Sequence, residues 1–235
     1  MEAAAEAEAE AKIRREVLGD CADRERALKS LGMDSIFSRY RYLIGFTVLY
    51  LLGAAYFYIS KGNWEFIAYL GVTLGVGLLI LGTVERSHLD RVALWGLTFW
   101  GFLHMLGGIL PVGDGVLYGW RIVEILDHGG DFYILKMDQV IHFYGFGVAA
   151  LVVHQLIGSR VVVGTHPGML IFFAWIGGMG LGAVNEVIEF LAFVSLDETG
   201  VGDMYNTGLD LNFNLAGALT GAVIENRRWV KRKDT

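Results

Sequence analysis

The stretch MDQVIHFYGFG, residues 137 to 147, decides how this chain is read. It opens an apolar run that continues to Gly158, close to the roughly 20 residues a helix needs to cross the hydrocarbon of a bilayer. Asp138 and His142 stand four residues apart at its start and so share one helical face. A charged side chain near the centre of a bilayer costs about 2.5–3.5 kcal/mol, and less toward the interface. Two ionisable groups on one face therefore predict polar partners or a wet cavity on that side, and not lipid.

Working outward, the whole composition agrees with a membrane reading. Of 235 residues, 54% are hydrophobic and 19% charged, and the mean hydropathy is +0.47. Ordinary soluble domains run at about 45–50% apolar and about 25% charged, so that class is excluded. Six apolar runs lie near 40–60, 64–84, 92–110, 138–158, 168–194 and 209–226. Period-2 alternation is absent, which argues against strands. The predicted fold class is all-α: a polytopic membrane protein with six transmembrane helices. Its 32 glycines fit helices that approach closely through small residues. The single Cys21 cannot form an intrachain disulfide.

Three regions follow from this pattern. Residues 1–35 read as a soluble, Ala/Glu-rich cytoplasmic helix, a composition that also suits an appended segment with Met33 as an older start. Residues 36–228 form the six-helix membrane domain, and 229–235 a basic cytoplasmic tail. With a cytoplasmic N-terminus, sixteen of the nineteen Lys and Arg residues fall on that side, leaving Lys61, Arg121 and Lys136 opposite. The positive-inside rule then puts both termini in the cytoplasm of a cell in whose plasma membrane the protein sits. The basic residues flank spans instead of forming a stripe, so membrane lipid, and no nucleic acid, is the expected partner.

That topology gives the ionisable residues depths. His104 late in helix 3, Asp138 and His142 early in helix 4, Glu186 and Glu189 late in helix 5, and Asp210 with Asn214 early in helix 6 all fall in the outer half. Helices 1 and 2 carry almost nothing comparable and read as packing partners. Asp203 and Asn206, in GVGDMYNTG, read as part of a loop over the pocket, while Asp210 with Asn214 also fits a helix N-terminal cap. His154 and Gln155 lie toward the other side and read as packing or interfacial. Helices 4 and 6 share a pattern, since DQVIHFYGFGVAA and DLNFNLAGALTGA both place Asp, His or Asn, Gly and a small residue at the same spacing. This predicts that helices 3–4 and 5–6 are two related hairpins, packed through small residues with their polar heads together.

The segments LHMLGG (103–108), DQVIHFYGFG (138–147), NEVIEF (185–190) and GVGDMYNTGLDLNFNLAGALTG (200–221) resemble, in order, the motifs of the YjdF-type family of prokaryotic inner-membrane proteins. More distantly, Asp210 to Gly221 and the surroundings of His142 resemble the VanZ-like family, from which helix 5 departs in carrying Glu186 and Glu189 as Glu-x-x-Glu. The resemblance implies a set of site residues and no particular reaction.

Four carboxylates gathered in one pocket repel one another unless they bind protons, a cation or an imidazolium. The expectation is an outward-facing pocket of His104, Asp138, His142, Glu186 and Glu189, with Asp203, Asn206, Asp210 and Asn214 secondary, that binds a cation. Mixed imidazole and carboxylate donors suit a divalent Zn, Mn or Fe ion. Such a site fits a metal-dependent enzyme acting on a lipid-linked or amphipathic substrate. An ion- or proton-coupled transporter, or a non-catalytic lipid-binding or scaffold subunit using the long 111–135 loop, are the alternatives. The His-Glu-x-x-His, Gly-x-Ser-x-Gly and Walker motifs do not occur.

Overall fold

The computed structural model describes residues 36–130, 132–161, 166–196, 200 and 202–233. The expected helix over 1–35 and Cys21 lie outside the described residues. The chain falls into two compact units, residues 1–46 and 47–235; of the first, only the start of helix α1 (Ile36–Lys61) is described. The second unit contains everything that follows.

It is mostly helical: α2 (Trp64–Ser87), α3 (Arg91–Ile109), α4 (Met137–Gly158), α5 (Pro167–Ser195) and α6 (Met204–Lys233). Each start has a local cause. Asn63 accepts from the Phe66 amide at 3.1 Å and Asp90 from the Ala93 amide at 2.9 Å, satisfying first-turn donors that otherwise lack partners. At α5, His166 accepts from Gly168 and is followed by Pro167 at the first helical position. At α6, Asp203 accepts from the amides of Tyr205 and Asn206 at 2.8 and 3.1 Å. This cap starts α6 at Met204, ahead of the apolar run, and the helix continues through the basic residues to Lys233.

Among the described residues, α1 to α5 are long and apolar enough to cross a membrane. α6 is long enough, at 30 residues, but too polar by composition to be among them. Much of its polarity points inward, since Asp210, Asn214, Glu225 and Asn226 are all buried.

The expectation of an all-helical chain fails over 111–136. There β1 (Pro111–Val112) pairs with β2 (Gly115–Val116), a 3-10 turn follows at Leu117–Gly119, and β3 (Arg121–Gly129) pairs antiparallel with β4 (Phe132–Lys136). Strand pairing satisfies the backbone polar groups of a connection that lies between two helices. β4 then runs directly into α4, with the Met137 amide bonded to the Trp120 carbonyl at 2.9 Å.

Two packing regions hold the helices. Tyr58, Phe66, Tyr69 and Met105 form an aromatic core joining α1, α2 and α3, with Tyr58 donating to the Met105 carbonyl at 2.6 Å. Helices α4, α5 and α6 meet through Ala150, Ala174, Ala218 and Ala222. Along the α4–α6 seam the backbones touch: a Cβ on Gly217 would lie 2.1 Å from the Phe143 carbonyl oxygen, and one on Gly221 1.9 Å from that of Gly147. Only glycine permits this approach. The two helices run parallel and in register, because His142 meets Asn214 and His154 meets Asn226, both pairs 72 residues apart. Of the two expected hairpins, helices 4 and 6 meet through small residues with their polar heads together.

Candidate cation-binding site

The ends of α3 and α5 and the starts of α4 and α6 bring polar side chains to one end of the bundle, with His142 at the centre. Its Nδ1 lies 3.0 Å from Asn214 Oδ1 and 3.4 Å from Glu186 Oε1. Its Nε2 lies 3.4 Å from Asp138 Oδ1 and 3.9 Å from Glu189 Oε1. Asn214 donates its amide to Glu186 Oε1 at 3.3 Å, so its oxygen is the atom that faces the imidazole. That oxygen can only accept, which places a proton on Nδ1 and leaves Nε2 aimed at Asp138 and Glu189.

Three asparagines hold His142 and the carboxylates near it. Asn214 fixes His142. Asn206 Nδ2 donates to Asp138 Oδ2 at 3.4 Å and to Asp210 Oδ2 at 2.6 Å. Asn185 Nδ2 donates to Glu189 Oε1 at 2.6 Å. Neutral amides of this kind orient ligands without adding charge, the part played by outer-shell groups in metal sites. Two acceptor oxygens of the site stay unsatisfied despite full burial, Glu186 Oε2 and Asp210 Oδ1. Leaving a buried acceptor without a partner is costly.

Donor spacing fits a cation. Tetrahedral bonds of about 2.0–2.2 Å put neighbouring donors about 3.3–3.6 Å apart, against 3.4 Å for His142–Asp138 and 3.9 Å for His142–Glu189. Two three-residue groups, Asp138–His142–Asp210 and His142–Glu186–Glu189, each bring ligand atoms within 4.8 Å of one another. One imidazole and oxygen donors make a set of intermediate hardness, suited to Zn, Mn or Fe.

Of the residues singled out by sequence, Asp138, His142, Glu186, Glu189, Asp210, Asn206 and Asn214 come together. Asp210 lies in the second turn of α6, so it is not the cap of that helix; Asp203 is, and its carboxylate serves the α6 backbone. Asn206, expected in a loop, is a buried residue of the first turn of α6. His104 is not in either converging group. Its Nδ1 is paired with the Tyr118 hydroxyl, and its ring lies against Tyr69 and Phe66.

Sequence reasoning missed several neighbours. Helix α2, read as packing alone, brings the buried Glu65, which accepts from Tyr69 at 3.3 Å and from the Gly200 amide at 2.8 Å. As the first-turn acid after Asn63, it reads as an ordinary helix start, so nothing local marks it. Lys136, read only as a loop charge, donates its ammonium to Asn206 Oδ1.

A second polar cluster lies at the opposite end of the same seam, twelve residues along α4 from His142, or about 18 Å. His154 Nε2 meets Asn226 Oδ1 at 3.2 Å, and Gln155 donates to Glu225 at 3.1 Å. Glu225 is fully buried and pairs with Arg228 and Arg232, both of which also bond Asp90 Oδ2, at 2.6 and 3.1 Å. The Asp90 amide closes the ring on Gln155 at 2.9 Å. His154 and Gln155 were expected to be packing or interfacial; they are buried and hydrogen-bonded. Their signal was present, since His154 and Asn226 continue the spacing that relates His142 to Asn214.

Comparison with curated proteins and with solved structures gives no match. Over residues 40–231 the sequence matches the family described as predicted membrane protein (DUF2238), in agreement with the resemblance to YjdF-type membrane proteins. That match covers most of the sequence, and the chain belongs to the DUF2238 family of membrane proteins.

Proposed function

We propose that this is a six-span plasma-membrane protein, with both termini cytoplasmic, whose outward-facing pocket binds one divalent cation and applies it to a lipid-linked or amphipathic substrate. His142, Glu186 and Glu189, one of the two converging groups, are the ligands, and Asp138, 3.4 Å from His142 Nε2, is the nearby carboxylate that completes the set. The observation that carries this reading is the arrangement around His142: an imidazole whose Nδ1 faces the Asn214 oxygen at 3.0 Å, two carboxylates 3.4 and 3.9 Å from Nε2, and a buried carboxylate oxygen on Glu186 without a partner. A Zn, Mn or Fe ion held there would act as a Lewis acid and would lower the pKa of a bound water. The six-span topology is supported by α6, which runs parallel to α4 in contact along the shared seam, and by the distribution of Lys and Arg.

The same seam favours chemistry at one face over passage through the bundle. Between the two polar clusters Gly217 and Gly221 meet the Phe143 and Gly147 backbone, and Ala218 and Ala222 are buried beside them, which leaves no width for a hydrated ion along that path. Elemental analysis of the purified protein beside a Glu186→Ala/Glu189→Ala variant tests the reading. One equivalent of metal in the parent and none in the variant is expected. A metal-free parent, after supply of Zn, Mn and Fe during growth, would rule it out.

A further inference from the structure

The position of Lys136 adds to this reading and rests on it. Asp138 turns its two oxygens to different places: Oδ1 lies 3.4 Å from His142 Nε2, while Oδ2 lies 3.4 Å from Asn206 Nδ2. The same Asn206 amide reaches Asp210 Oδ2 at 2.6 Å, and the Asn206 carbonyl oxygen accepts from the Lys136 ammonium. Two carboxylates and one amide thus gather around the second oxygen of Asp138, with a carboxylate oxygen of Asp210 also within 4.8 Å of His142. Asp210 is fully buried, with Oδ1 unpartnered. If the amide of Asn206 turned over, its oxygen would join Asp138 and Asp210 in an all-oxygen set of the kind that holds hard divalent ions. Asp138 would then bridge two cations.

In the native chain this second place is served by a side chain. Lys136 is the last residue of β4 and immediately precedes α4, so its backbone is fixed by the junction, and its amide is bonded to Gln139 Oε1 at 3.1 Å. Its ammonium holds the Asn206 oxygen, which keeps the amide N–H groups on the two aspartates. We propose that Lys136 acts as a tethered counter-cation in place of a second metal ion, so that the native pocket binds one divalent cation and loses that limit when the ammonium is removed.

The test is the number of Mn2+ ions bound per chain, measured by equilibrium dialysis with elemental analysis on the full-length protein in detergent. The native protein and Lys136→Arg are expected to bind one, Lys136→Met and Lys136→Gln two. Native protein that binds two overturns the proposal, as do folded Lys136→Met and Lys136→Gln proteins that each bind only one. Native protein that binds none fails the cation reading itself, a separate outcome. Where neither Lys136→Met nor Lys136→Gln folds, the native protein taken to saturating Mn2+ decides: one ion bound supports the proposal and two overturn it.

Discussion

At the scale of single residues, the most informative side chain is an amide. Asn214 has no charge and no reactivity, yet its oxygen decides which nitrogen of His142 carries the proton, and its NH2 group is spent on Glu186. Replacing an outer-shell partner of a ligating histidine costs about 10–100-fold in metal affinity. Asn214→Leu is therefore expected to weaken Mn2+ binding by about that factor while leaving one ion bound at saturation, which dialysis over a range of free Mn2+ would read. An unchanged affinity would mean that the tautomer is set by something other than Asn214. Sequence reading located Asn214 but gave it only a secondary or capping part, because a one-dimensional pattern shows that Asp210 and Asn214 share a face and not what that face meets. The same limit applies to Asp203. Its position before an apolar run fits both a site acid and a helix cap, and only the two amides it accepts from decide for the cap.

At the scale of elements, α4 and α6 behave as one unit with a polar head at each end and a dry middle. The cluster around Asp90 ties the start of α3 to the ends of α4 and α6. Partial burial works to raise the Asp90 pKa, but the hydrogen bond from Ala93, the contact with Gln155 and the Arg228 guanidinium outweigh it and hold the group below the usual carboxylate range. The sign of the consequence follows: a carboxylate whose folded pKa is depressed contributes stability that is complete above its unfolded value of 3.8 and is lost as pH falls through the lower folded value. Thermal unfolding in detergent, followed from neutral pH down into the acid range, should show a falling midpoint in the native protein. Asp90→Asn should begin from a lower midpoint at neutral pH and lose less of it across that acid range. Parallel curves for the two proteins would show that this carboxylate does not set the acid limb. This cluster was within reach of the sequence, because the match between helices 4 and 6 extends from Asp138 and Asp210 down to His154 and Asn226.

At the scale of the whole molecule, helix content and the gathering of the polar residues were legible because membrane burial imposes long apolar runs and makes inward-facing charge conspicuous. The hairpin of β3 and β4 was not legible: its strand β3 is exposed along most of its length, so no alternating burial writes period 2 into the sequence. α6 shows the opposite effect, since its inward-facing Asp210, Asn214, Glu225 and Asn226 depress its hydropathy although they are buried. Its membrane crossing therefore depends on the bundle, and topology is the property that tests it. If six helices span, the β1–β2 connection and the end of α6 lie on opposite sides of the membrane. In a Cys21→Ser background, a cysteine at Asp114 should react with an impermeant thiol reagent added to intact cells from which any outer barrier has been removed. A cysteine at Lys231 should react only after the membrane is opened. Labelling of both from outside would place α6 on the same side as the hairpin, leaving five spans and removing the shared depth on which the pocket depends.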